Sequence, residues 1–117
     1  MIELFALLLL QFTEPDPEAL RATARLTELR IPACERELAR GDRAEDCDRF
    51  LDTMDDLLGR MGEIEDLLRA RASSQGISVE RLFEIDPEAA ELGQSILDVG
   101  PVFYRAMDML ALLEAAE

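Results

Sequence analysis

The sequence predicts an all-α protein, an antiparallel bundle of about four main helices with a long central αα-hairpin. Three observations carry that expectation. Apolar residues recur at alternating three- and four-residue spacing along most of the chain. Two copies of Asp-Pro-Glu-Ala, at Asp16–Ala19 and Asp86–Ala89, have the form of helix starts. No segment alternates at period two with β-branched residues, as a half-buried strand would.

The first element is Met1–Phe12, MIELFALLLLQF. It is too short to span a bilayer, which takes about 20 residues. Glu3 stands where a secretory signal would carry positive charge, and Thr13-Glu14-Pro15 follows in place of a cleavage site of small residues. The segment therefore reads as a retained, buried helix, and the protein as cytoplasmic with no membrane span. A helix apolar on nearly every side must be surrounded. Either the other helices of the chain cover it, or a second copy does, making a homodimer with a face of Phe5, Leu8, Leu9 and Phe12.

In each Asp-Pro-Glu-Ala start the Asp is placed to accept first-turn amide protons. The Pro occupies the first helical position, where its missing N–H is harmless, and the Glu suits the positive end of the helix dipole. The helix after Asp16 carries Leu20, Ala24, Thr27, Ile31, Cys34 and Leu38 on one face. Pro32 interrupts it, and a kink near Glu28 is expected rather than a break, because no capping residue stands at position 31.

The clearest seam is Cys47, Phe50, Met54, Leu57, Met61, Ile64 and Leu68, widened by Leu51, Leu58 and Leu67. It predicts one long helix from about Ala44 to about Ala72, stopped at Gly76. With a turn at Gly41-Asp42, antiparallel register sets Cys34 opposite Cys47, Ile31 opposite Phe50, Thr27 opposite Met54 and Leu20 opposite Met61. Two independent seams thus meet across one short connection. A short helix capped by Ser78 follows near Val79–Phe83. The last seam, Leu92, Ile96, Val99, Phe103, Ala106, Leu110 and Leu113, runs through Gly100-Pro101. Because proline removes a helix bond and crowds the preceding turn, either a kinked helix or two helices meeting at Gly100 is expected, and the unbroken register favours two segments on one line.

A chain of 117 residues suits one domain over 1–117. Its 26 acids against 12 bases give a net charge of −14, which argues against direct binding to nucleic acid or anionic lipid. Every base is Arg, and there is no His. That removes the usual general base near neutral pH and the imidazole ligands that most zinc and di-iron sites use. No catalytic residue, metal ligand set or cofactor motif emerges.

The features that remain are surfaces. Cys34 and Cys47 face each other in the hairpin register, either as a disulfide or as two buried thiols. On the long helix Glu45, Asp48, Asp52 and Asp55 recur at three- and four-residue spacing with Asp56 beside them, and Arg43, Arg49 and Arg60 flank the line. Like charges so placed repel, so the line is a solvated face, a surface for a basic protein partner, or a divalent-cation site. Gly59 and Gly62 in the same helix allow a close crossing, or are a tolerated cost.

Glu63-Ile64-Glu65-Asp66 locally resembles the Glu-x-x-Asp step with which all-α nucleotide pyrophosphatases of the MazG type hold magnesium. The upstream Glu-Glu-x-x-Glu of that family is absent, and Glu35 and Glu37 echo it only loosely. The resemblance covers these four residues and implies carboxylate-held magnesium on bundle helices, with phosphate contacts from Arg. The function expected is a non-catalytic protein-interaction module of adaptor, chaperone, immunity or inhibitor type. The alternatives are a magnesium-dependent nucleotide pyrophosphohydrolase and an acidic mimic of nucleic acid.

Overall fold

The computed structural model describes residues 15–41 and 44–116. Met1–Phe12, with the dimer face expected on it, lies outside the described residues, as do Asp42 and Arg43 of the turn. The described residues form four helices in order: α1 (Pro17–Ala39), α2 (Glu45–Gln75), α3 (Val79–Ile85) and α4 (Pro87–Ala115). The described residues contain no strand.

Both Asp-Pro starts are built as the sequence predicts. Asp16 accepts from the Glu18 amide at 3.0 Å, and Asp86 accepts from the Glu88 and Ala89 amides at 3.0 and 3.3 Å. Ser78 caps α3 through the Arg81 amide at 3.1 Å. Gly76 ends α2 in the left-handed region, with φ of 67° and ψ of 31°. Its amide bonds the Ser73 carbonyl while the Ile77 amide reaches the Ala72 carbonyl, which satisfies the last turn and folds Ile77 back onto the core.

The break expected at Gly100 does not occur. α4 is one helix through Pro101, as α1 is through Pro32. Both prolines are exposed. The carbonyls that each deprives of a partner belong to Leu97 and Glu28, on the solvent side where water serves.

α1 and α2 form the antiparallel hairpin. α4 runs parallel to α1, as the cross-links show: Arg21 of α1 bonds Asp98 at 3.1 Å and Arg105 of α4 bonds Glu28 at 2.6 Å, each pair 77 residues apart in sequence. Arg21 also holds Glu91 at 3.0 Å and Glu18 at 2.9 Å. α1 packs against both α2 and α4, whereas α2 and α4 meet each other more sparsely.

The core has two parts along the bundle. Leu20, Ala24, Leu57, Ile64, Leu68, Leu82, Leu92 and Val99 fill the end near α3. Ile31, Cys34, Cys47, Phe50, Met54, Ala106, Met109 and Leu113 fill the end near the hairpin turn. Phe50, the only phenylalanine among these, is fully buried. Two buried hydroxyls are satisfied within their own helices: Thr27 donates to the Thr23 carbonyl at 2.8 Å and Ser95 to the Leu92 carbonyl at 2.6 Å. Among the described residues no helix is long and apolar enough to cross a membrane.

Candidate functional site

At the hairpin turn, Cys34 and Cys47 form a disulfide with Cα atoms 4.4 Å apart, and both side chains are fully buried. Beside them lies a feature the sequence hides. Glu37 is 4% exposed, yet among the described residues it makes no ion pair. Its carboxylate instead accepts three backbone amides at the start of α2: Ala44 at 3.0 Å, Asp46 at 2.8 Å and Cys47 at 2.9 Å. Ala44 cannot cap α2 with its own side chain, so the acid from α1 takes that place. Burial by itself would raise the pKa of Glu37, but the three amide bonds and the charge of Arg40 outweigh it and hold the carboxyl below the usual carboxylate range. Glu37 stands three residues after Cys34 on the same helical face, which was the available signal for a buried acid.

Glu45, Asp48, Asp52, Asp55 and Asp56 are all exposed along α2, with different surroundings. Glu45 pairs with Arg49. Asp56 pairs with Arg60 at 3.2 Å and is also touched by the Thr23 hydroxyl of α1 at 3.3 Å, which marks the α1 side of the helix. Among the described residues Asp48, Asp52 and Asp55 make no ion pair. They form an outward ridge, and Asp48, Asp55, Gly62 and Arg69 succeed one another at seven-residue spacing, hence on one edge of α2.

Gly59 and Gly62 do not serve a helix crossing among the described residues. A Cβ added at either would meet nothing within 4 Å. Gly93 of α4 is different, since a Cβ there would lie 2.7 Å from Cζ of Phe83. The Phe83 ring of α3 sits in the space that glycine leaves.

That ring borders a groove of about 540 Å³ between α2, α3 and α4, lined chiefly by Leu68, Val79, Phe83, Ile96 and Leu97, with Glu65 and Arg69 at its edge. The same edges continue toward the hairpin turn. On α2, Glu65 is followed at seven-residue steps by Leu58 and Leu51; on α4, Gly93 is followed by Gly100 and Met107, and Ile96 by Phe103. Leu58 is 40% exposed, Met107 41%, and Leu97 and Tyr104, farther out on α4, are 71% and 70% exposed. An apolar valley therefore runs along α2 and α4 on the side away from α1, and the acidic ridge flanks it, sharing an edge of α2 with Arg69.

The carboxylates of the magnesium-binding alternative do not converge. Glu63, Glu65 and Asp66 are exposed on α2, Glu35 is exposed on α1, and both oxygens of Glu37 are spent on amides. Among the described residues no three acidic, cysteine or histidine side chains are grouped to hold a metal ion. Comparison with protein-family models, curated proteins and solved structures finds no significant match.

Proposed function

We propose that the protein is a non-catalytic protein-interaction module whose acidic ridge on α2 receives a basic segment of a partner protein. The observation that carries this reading is the stacking of three unpaired acids about one turn apart on one helix, since Glu35, Glu63, Asp66, Glu80, Asp108 and Glu114 also lack an arginine partner among the described residues. Glu18, Glu28, Glu45, Asp56, Glu84, Glu88, Glu91 and Asp98 each have an arginine partner within the chain. Asp48, Asp52 and Asp55, stacked along one helix where they repel, have none among the described residues. Arg or Lys side chains of a partner relieve that repulsion on binding, so association is fast and weakens with salt.

The test is affinity capture from the native host with the full chain and with Asp48→Arg/Asp52→Arg/Asp55→Arg side by side. A protein captured by the first and lost by the second supports the ridge. The same capture profile from both rejects it. A ridge of spaced carboxylates also has the form of a nucleic-acid charge mimic, and in that case the captured protein is one that DNA displaces from the module.

A further inference from the structure

The α1–α2 hairpin carries opposite charges on its two helices, both on the side away from the core. We infer that the protein forms a two-fold dimer through that side, with α1 of each copy seated on the α2 ridge of the other. This rests on the reading of the ridge as a surface for basic groups, and makes a second copy of this chain the protein that supplies them.

Three observations support it. First, charge. Among the described residues the arginines that make no ion pair are Arg25, Arg30, Arg36 and Arg40, and all lie on α1. The Nε atom of Arg30 is also buried without a hydrogen-bond partner. Between these bases Leu26 and Leu29 are 42% and 74% exposed, so the face has an apolar centre. Second, side. The Thr23 hydroxyl touches Asp56, so these positions mark the facing edges of α1 and α2. Ala24 and Leu57, one residue on, both turn into the core. On antiparallel helices the same sense of rotation leads to the same side. Turning the other way reaches the arginine face of α1 and the ridge of α2, which therefore both lie on the opposite side. Third, register. A half-turn about an axis parallel to the helices lays α1 of a second copy over α2 without changing its height, so the level is that of the hairpin itself. With Thr23 level with Asp56, Arg25 lies about 1.5 Å from level with Asp55, Arg30 about 4.5 Å from level with Asp52, and Arg36 about 3 Å from level with Glu45, with Asp48 one turn further. The long arginine stems span these offsets, and the two-fold repeats each pair. The net charge of −14 on each copy opposes approach from afar. At an ionic strength of about 0.15 M that repulsion is confined to roughly 8 Å, while groups in contact still attract.

The test is sedimentation equilibrium of the purified full chain, from micromolar to millimolar concentration at that ionic strength, with circular dichroism on each sample. A reversible equilibrium between monomer and dimer is expected. Asp48→Arg/Asp52→Arg/Asp55→Arg and Arg25→Glu/Arg30→Glu/Arg36→Glu are each expected to weaken it roughly a hundredfold or more, because like charges then meet. An equal mixture of the two variants is expected to pair as wild type does, since every contact is again base on acid. Arg25→Glu/Arg36→Glu leaves the buried Nε of Arg30 in place and replaces the triple variant if that one loses helix. A wild-type chain that stays monomeric throughout overturns the inference, and capture from the host then judges the ridge by itself. Growth beyond a dimer, a dimer that persists unchanged in either reversed variant, or a mixture that does not pair also overturns it.

Discussion

The Glu37 carboxylate of α1 accepts the Cys47 amide of α2 at 2.9 Å, three residues from the disulfide that joins the same two helices. The two links act on the same turn by different means. The disulfide shortens the loop that the unfolded chain must close, and the carboxylate neutralises the exposed amides at the start of α2.

Glu37 makes the fold sensitive to acid in a defined direction. Its carboxyl is held below the ordinary range in the folded chain, so the unfolded state takes up the proton first. The stabilisation is complete above the unfolded value, about 4.3 for Glu, and is lost as pH falls through the lower folded value. Asp98, held down by the Gln94 amide and then by Arg21 against the opposing effect of burial, behaves in the same way. Melting midpoints of Glu37→Gln are expected to lie below wild type at neutral pH and to converge on it below that window. A constant gap down to the most acid pH would remove the titration from the account.

Reduction tests the other link. The cysteines are 13 residues apart, and a loop of that size is worth about 3 kcal/mol in the chain-entropy model. Intact mass is expected to rise by two hydrogens on reduction after denaturation, and the midpoint of the reduced chain to fall while its helix signal persists, since Glu37 still fixes the turn. An unchanged mass would show that the purified protein carries thiols.

Phe50→Ala is expected to destabilise by about 3–5 kcal/mol, because the ring is fully buried between α1, α2 and α4. Asp48→Ala, exposed and without an ion pair among the described residues, is expected to change stability by less than about 0.5 kcal/mol. Urea denaturation of the two variants separates these values. Equal costs would contradict the helix register.

The glycines divide in the same way. Gly59→Ala is expected to stabilise by roughly 0.5–1 kcal/mol, since it adds helix propensity in open space. In Gly93→Ala the new methyl meets the end of the Phe83 ring, and the strain of overpacking, about 1–3 kcal/mol, outweighs that gain. Thermal melts that rank both variants above wild type would show that the ring moves aside freely.

What could be read in the sequence was local. The Asp16 and Asp86 caps, the stop at Gly76 and the seam through Phe50 each depend on residues within one or two turns. The register that sets Cys34 opposite Cys47 needed only a short turn between two seams, while whether the two are bonded stayed open. What could not be read depends on other elements. Pro101 breaks a helix or rides on its surface according to which side faces water, and packing against α1 and α2 decides that. Glu37 falls on the buried face of α1 by its spacing from Cys34, but its capping role cannot be read there, because its partners are amides of the next helix. The valley exists because α3 returns the chain so that α4 lies parallel to α1, and no single seam carries that offset.

We propose that the ridge of Asp48, Asp52 and Asp55 binds a basic partner. Its most direct test is capture by the full chain and by Asp48→Arg/Asp52→Arg/Asp55→Arg at low and high salt, with circular dichroism confirming that both are equally helical. The expected result is a protein retained by the wild-type chain, released as salt rises and absent from the reversed variant. A partner held equally by both chains and indifferent to salt would contradict it, as would a melting temperature that climbs steeply with millimolar magnesium in the wild type alone.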